Sequence, residues 1–352
     1  MLTGDGWLAR FVPAAGLTGA QAAGLAAAAG RLGNGRIEVT GRGSLQVRGL
    51  TPETAEELGR VVDGLGIAVR TGLAVVTGAL AGIDPEEAAD PRPLAEAIRR
   101  RAAGLRLGPK ASVVVDGGGA LHLDAVGADV RLRAAGGRWE VSVGERVLGG
   151  WDAPAATEAA VQVLGRLAAR GPGARGRAVA GEAAAPARPP AVPVGRIGAS
   201  ALGIGLAFGQ TDAGGLAALA AAAGGAELRP APGRALVAVG LGEAEGEALR
   251  AAAEGAGFVV DPRDPRLAIV ACSGAGACGS AHLATRALAA EIAARRPELL
   301  EGVRLHLSGC AKRCAQPAMP SVSLVAGTDG NVIEADRMAV PDGLRAFLEA
   351  VG

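Results

Sequence analysis

The sequence predicts an α+β protein built by internal duplication: a half-domain followed by an α/β segment, the pair repeated once with pseudo-two-fold symmetry. Three observations carry this. Two stretches share one supersecondary pattern. Each is followed by a longer run of alternating strand-like and helix-like segments. The chain of 352 residues is 49% hydrophobic, enough for sizeable cores, and its 57 Gly and 20 Pro punctuate it densely with turns.

In order along the chain, apolar spacing over Leu17 to Arg31 (LTGAQAAGLAAAAGR) predicts a helix. IEVTGRGSLQVRGL (37–50) reads as two short strands around a Gly turn, and Pro52 to Leu65 as a second helix. The second copy is Asp212 to Gly225, then LRPAPGRALVAVGL (228–241), then Glu243 to Gly255. Matched Gly-Leu endings at 49–50 and 240–241 argue against a coincidence between Ala/Gly-rich segments. The first α/β segment contains strand-like runs at 73–83, Ser112 to Val115, Ala120 to Leu123 and Trp139 to Val143, with a helix from Pro93 to Leu105. A helix from Pro154 to Ala169 closes it, with proline in the first turn, where a missing N–H costs nothing. Residues 171–195, rich in Pro, Ala and Gly, read as an exposed linker. The second α/β segment repeats the plan with strands at Leu267 to Ala271, Val303 to Leu307 and Val322 to Val325 and a helix from Ala281 to Ala294. The expected boundaries are 1–70, 71–170, a 171–196 linker, 197–262 and 263–352.

Composition removes several function classes. With 36 Lys+Arg against 35 Asp+Glu, near-neutrality argues against a nucleic-acid or acidic-membrane partner. Tyr is absent and aromatics total 2%, which excludes tyrosine acid/base chemistry and aromatic base stacking. No apolar run reaches the roughly 18–20 residues that span a bilayer. Met1 to Val12, with Asp5 and Arg10, lacks the pattern of a signal peptide, so a cytoplasmic location is expected. Lys110 and Lys312 are the only lysines among the cations, which draws attention to both.

All 4 Cys lie between 272 and 314. Cys272 and Cys278 form a C-x5-C pair in ACSGAGACGSAH, and Cys310 and Cys314 a C-x3-C pair in LHLSGCAKRCAQP. Each pair directly follows a predicted strand, so the thiolates are expected on loops leaving one edge of a sheet. Soft sulfur donors among small Gly and Ala neighbours suit an iron-sulfur cubane. A structural zinc site would normally use tighter C-x2-C knuckles.

With these residues the chain resembles the sirohaem-type nitrite/sulfite reductase superfamily, whose architecture is two ferredoxin-like half-domains plus two α/β segments. Sirohaem reductases usually read T-G-C-P-N-G-C, whereas Ser308-Gly309-Cys310-Ala311-Lys312-Arg313-Cys314-Ala315 is similar to the precorrin-3B synthase family. The resemblance extends over DGWLARF (5–11), GNGRIEVTGRGSLQVRGL (33–50), LAGIDPEEAADPRPLAEAI (80–98) and LGPKASVVVDGGG (107–119). It implies oxygen-dependent hydroxylation of precorrin-3A at C20 with γ-lactone formation, in cobalamin biosynthesis. It also implies a 4Fe-4S cluster on Cys272, Cys278, Cys310 and Cys314, and a mononuclear non-haem iron that activates dioxygen. Electrons would come from NAD(P)H through a reductase, or from a ferredoxin. The alternatives are a sirohaem-dependent nitrite or sulfite reductase and a non-catalytic tetrapyrrole or iron-sulfur carrier.

Arg42, Gln46 and Arg48 alternate along one expected strand face, where guanidinium groups can grip the acetate and propionate arms of a precorrin. The resemblance points that face at the tetrapyrrole. Arg229 and Arg234 occupy the matching turn of the second copy. Lys110 in LGPKAS matches one of two anion-facing lysines of the sirohaem reductases; Ser112 replaces the other, and Leu73-Ala74 replaces an Arg-Asn pair. That loss of charge counts against anion reduction. Lys312 is the discriminating letter of the cysteine motif and a further candidate for the substrate. His122 and His306 are expected mid-strand, His282 near the cluster, and the three do not form a two-His-one-carboxylate site. DGGG (116–119) is expected as a hairpin turn. The family's Cys-Pro-Gly segment ahead of D-G-x-L-x-R is missing, which suggests a truncated or mis-assigned start, and Gln316 stands where His is common.

Overall fold

The computed structural model describes residues 2–144, 146–180, 188–317, 319–328 and 330–350. The chain forms two compact units, Met1–Ala68 with Pro193–Gly352, and Val69–Val192.

The first unit opens with β1 (Leu2–Thr3) and β2 (Gly6–Phe11), then α1 (Gly19–Leu32), β3 (Arg36–Val39), β4 (Leu45–Leu50) and α2 (Pro52–Gly64). Thr18 caps α1 through a capping box with Gln21, and Thr51 caps α2 through one with Thr54, so both helices begin where orphan N–H groups find side-chain oxygens.

The second unit contains β5 (Ala74–Val76), α3 (Arg92–Ala102), β6 (Ser112–Asp116), β7 (Val130–Ala135), β8 (Arg138–Val143), β9 (Arg146–Trp151), α4 (Ala153–Ala169) and the single turn α5 (Arg177–Ala180). Its sheet has the order β5-β6-β7-β8-β9. The first two pairings are parallel and the last two antiparallel, with α3 and α4 supplying apolar side chains to the core. The strand expected at Ala120 to Leu123 is instead a turn, because the Asp116 carboxylate accepts the N–H groups of Gly118 and Leu123 and curls the chain back. For the same reason DGGG is not a hairpin: β6 pairs with β7 in parallel, across a longer connection. His122 therefore sits in that connection and not in a strand.

Of the expected linker, residues 181–187 lie outside the described residues. Its flanks are not free. Arg175 and the Gly176 N–H both bind the buried Asp129 carboxylate at 2.8 Å, and Arg188 pairs with Asp124 at 2.9 Å.

The chain then returns to the first unit with β10 (Gly195–Ile197), β11 (Ala201–Gly205), β12 (Gln210–Asp212), α6 (Ala213–Ala222), β13 (Glu227–Ala231), β14 (Ala235–Val239) and α7 (Glu243–Gly255). It ends with β15 (Ile269–Ala271), α8 (Thr285–Arg295), β16 (Leu305–Ser308), β17 (Ser321–Gly327), β18 (Gly330–Asp336) and α9 (Asp342–Ala350). The half-domain sheets run β1-β2-β4-β3-β12 and β10-β11-β14-β13, and the last sheet runs β15-β16-β17-β18.

The duplication is thus visible in strand order, and the two half-domains share one apolar core. Each also reaches into the other's sheet. β12, ahead of α6, pairs with β3, and Leu17, ahead of α1, bridges Leu228 of β13. Among the described residues no helix is long and apolar enough to cross a membrane.

Candidate functional site

β15 and β16 are parallel neighbours, Ile269 opposite Leu305, so their C-terminal ends leave the sheet at the same edge. Cys272 follows β15 directly, and its Sγ accepts the Gly309 N–H from the second cysteine loop at 3.2 Å. Thr285, at the start of α8, donates to the Cys272 carbonyl at 2.9 Å. The loops are joined again where the His282 N–H donates to the Gly309 carbonyl at 2.7 Å and Lys312 Nζ to Ser280 Oγ at 3.4 Å.

Small residues are required here. A Cβ on Gly309 would lie 2.6 Å from that of Ala281, and one on Gly4 would lie 2.2 Å from Cys278 Sγ. The Gly279 N–H donates to the Gly4 carbonyl at 2.8 Å, so the N-terminal strand pair rests on the Cys278 loop.

All four cysteines are free thiols. Burial pushes the Cys314 thiol up, and Cys310, Cys272 and Cys278 push the same way while Arg48 opposes them, which puts all four within electrostatic reach. Among the described residues no three Cys, His, Asp or Glu side chains converge as a single-ion site. A cubane binds each thiolate through a different iron and does not require that convergence. Four soft donors on two joined loops, with glycines where the backbone must come close, fit such a group.

A second feature is the polar face of the β2-β4-β3-β12 sheet. Leu45, Val47, Ile37 and Val39 point into the core. The alternate positions form a row across four strands, Arg10 opposite Gln46, Gln46 opposite Glu38, and Glu38 opposite Gln210. Gln46 donates to Glu38 at 2.6 Å and accepts from Arg10 at 2.5 Å when its amide is oriented to suit both, and Gln210 donates to the other Glu38 oxygen. Arg48, buried beside this row, forms a fork with Asp5, Nε and Nη2 each 2.7 Å from a carboxylate oxygen, and reaches Glu38 at 3.3 Å. Burial alone would raise Asp5, but bonds from Arg48 and Thr3 and the Arg48 charge outweigh it and hold the carboxyl below the usual range.

The structure therefore separates the expected strand face. Gln46 and Arg48 share it, while Arg42 lies exposed in the turn between β3 and β4, because the strand begins only at Leu45. Arg229 is tied to Glu227 at 2.7 Å. Arg234, at φ 67, turns inward and donates to the Ala315 carbonyl at 3.2 Å, so it braces the second cysteine loop. Arg313 occupies the left-handed region at φ 50, where the reductase motif has Gly, and its guanidinium is held by Glu334. Lys110 is exposed in the turn before β6 of the other unit.

Sequence reasoning missed Asp5, Arg10, Glu38, Gln210 and Arg286; for Arg10 and Glu38 the period-2 pattern of their strands was the available signal. His306 is mid-strand as expected. It is fully buried, with Nδ1 3.0 Å from Ser323 Oγ, and burial, then Arg234 and Arg313, push it down to about 4.

Residues 3–61 match the nitrite/sulfite reductase ferredoxin-like half domain. The solved structure of the Mycobacterium tuberculosis NirA protein superposes with a TM-score of 0.70 at 20% identity, over 93% of this chain and 73% of that one, and shares the fold. A precorrin-3B synthase from Sinorhizobium sp is 39% identical over 364 aligned positions, covering 94% of this chain and 79% of that protein. At that identity and coverage, and with the duplicated fold and paired cysteine loops described above, the chain belongs to the precorrin-3B synthase family.

Proposed function

We propose that the protein is an oxygen-dependent oxidoreductase that hydroxylates precorrin-3A at C20, an acetate arm then closing the γ-lactone of precorrin-3B. The observation that carries the reading is the family membership. In the hydroxylation one atom of dioxygen enters the product, and the other leaves as water with two electrons and two protons from the donor. We assign that donor to NAD(P)H through a reductase, or to a ferredoxin, and the location to the cytoplasm, in keeping with four free thiols.

Cys272, Cys278, Cys310 and Cys314 would hold a 4Fe-4S cluster, which supplies single-electron transfer when bound. Gly309 and Thr285 fix Cys272 by hydrogen bonds, and Arg234 fixes the Cys310–Cys314 loop through Ala315. The polar row Arg10–Gln46–Glu38–Gln210 offers hydrogen-bonding groups to a carboxylate-rich macrocycle, and Lys110, Lys312, Arg42 and Arg229 remain candidates for its outer arms. A mononuclear non-haem iron is retained as the oxygen-activating group with no ligands assigned. Sirohaem is tied to the disfavoured reductase reading.

The test is the absorption spectrum of anaerobically purified protein, followed by precorrin-3A with and without oxygen. A broad iron-sulfur shoulder without sirohaem bands, and product only when oxygen is admitted, is expected. Sirohaem bands that respond to nitrite or sulfite would overturn it.

A further inference from the structure

Arg286 lies in the first turn of α8, next to Thr285, whose hydroxyl is bonded to the Cys272 carbonyl. Its Nε and Nη2 are buried and have no hydrogen-bond partner among the described residues. Buried guanidinium groups are normally paired, because an uncompensated charge out of water is costly.

Among the described residues the surroundings offer Arg286 charge from Glu38 and Cys272 but no hydrogen-bond acceptor at Nε or Nη2. Glu38, the carboxylate whose charge acts on Arg286, already accepts from Arg48, Gln46 and Gln210. The Cys272 sulfur takes the Gly309 N–H. Arg36 and Arg48 are close enough to repel Arg286, and burial with that repulsion pulls it down to about 10 against the opposing pull of Glu38 and Cys272. A surplus of positive charge thus sits between the Cys272 loop and the polar sheet face, with donors unfilled. Guanidinium forks match carboxylates in geometry as well as charge.

We propose that Arg286 is a substrate-binding residue whose guanidinium, unpaired at the buried Nε and Nη2, turns to receive one carboxylate arm of the tetrapyrrole beside Cys272. This rests on the tetrapyrrole reading above. The substrate completes a site that the folded chain leaves electrostatically unfinished, and Arg286 sets where one edge of the macrocycle lies relative to the cysteine loops.

The probe is uroporphyrin, a stable carboxylate-bearing tetrapyrrole, titrated by fluorescence quenching into anaerobically purified wild type, Arg286→Gln and Arg286→Lys, with thermal unfolding of each without ligand. Loss of a charge-assisted pair is expected to weaken binding about tenfold or more in Arg286→Gln, with partial recovery in Arg286→Lys. Removing an unpaired buried charge is expected to raise the ligand-free midpoint of Arg286→Gln by roughly 2–4 °C, a gain that a purely structural residue would not give. Wild type that binds uroporphyrin with an Arg286→Gln variant of equal affinity overturns the proposal and leaves the function standing. A lowered midpoint together with lost iron-sulfur absorption overturns it in favour of a role in bracing the cysteines. Wild type that binds no tetrapyrrole overturns both.

Discussion

Arg48 is the residue on which sequence and structure give different accounts, and replacing it by Met separates them. As a clamp awaiting substrate it would be dispensable for folding. In the structure its side chain is 10% exposed and its fork closes on Asp5, whose side chain is 1% exposed, with Glu38 on the third nitrogen. Arg48→Met strands both carboxylates, and breaking a buried pair by removing one partner costs about 3–5 kcal/mol. At about 2–4 °C per kcal/mol for a unit of this size, the midpoint should fall by roughly 6–20 °C. Asp5→Asn in the Arg48→Met background removes one stranded charge, so the double variant should be less destabilised than the sum of the singles by about 1–3 kcal/mol. The assays are thermal unfolding for the midpoint and urea unfolding for the free energies, both at pH 7 and followed by circular dichroism. The sign of the pH effect follows from Asp5, whose folded pKa lies below its ordinary 3.8. Its contribution is complete above that value and is lost as pH falls through the lowered one, and Arg48→Met abolishes this step. Additive singles, or an Arg48→Met protein of wild-type stability that no longer binds a carboxylated tetrapyrrole, would refute the structural account and restore Arg48 as a substrate clamp.

Two further outcomes follow. His306 is held neutral, its pKa pushed from 6.5 to about 4 by burial, so the unfolded chain takes up a proton first as pH falls; stability is complete above about 6.5 and declines toward 4. Between pH 7 and 5 the loss is about 2 kcal/mol, read by urea unfolding and absent in His306→Gln; equal pH slopes for the two proteins would contradict it. Gly309→Ala drives a methyl to 2.6 Å from the Ala281 Cβ and pries the cysteine loops apart. The cost is about 1–3 kcal/mol, with a reduced iron-to-protein ratio after anaerobic purification; wild-type iron content and midpoint would show the loops to be slack.

The half-domain plan was legible because its signals are local. The helices after Thr18 and Thr51 announce themselves by capping residues and apolar spacing, and the cysteines by their place at strand ends. The site's polar partners were not legible, because periodicity reports which face a residue shares and not what lies opposite it. Asp5 meets Arg48 from 43 residues away, and Gln210 meets Glu38 from 172, on a strand the second copy lends to the first. Arg42 was misplaced because its even spacing with Gln46 and Arg48 mimics a strand, when the Thr40 hydroxyl accepts the N–H groups of Arg42 and Ser44 and bends the chain into a turn. Two strands of the first α/β segment were not expected: β7 carries the alternation VRLRAA, a period-2 signal that was there to use, whereas β9, RVLGGW, has two glycines and an exposed start that blur its period.

The duplication also sets side by side two α/β segments of which one carries all four cysteines and the other none. The pairings Val75 with Val113 and Ile269 with Leu305 put the two sheets in the same register. The same backbone bond ties the following loops, from the Ala88 N–H to the Gly117 carbonyl in one copy and from the His282 N–H to the Gly309 carbonyl in the other. Counting from these anchors, Gly78, Asp84, Gly118 and His122 stand where Cys272, Cys278, Cys310 and Cys314 stand. None of the four is a thiol, and two have no donor side chain at all. What the first copy has instead is its own cross-link. Asp84 accepts the Ala120 N–H at 2.7 Å from the neighbouring loop, and Asp116 accepts two N–H groups within that loop. Protein hydrogen bonds close the loops of the first copy. In the second copy Cys278 and Cys314 occupy the positions of Asp84 and His122, and its loops are joined by the Gly309 N–H to Cys272 Sγ and the His282 N–H to the Gly309 carbonyl, so the cluster proposed above would add a cross-link of its own to loops that protein bonds already hold.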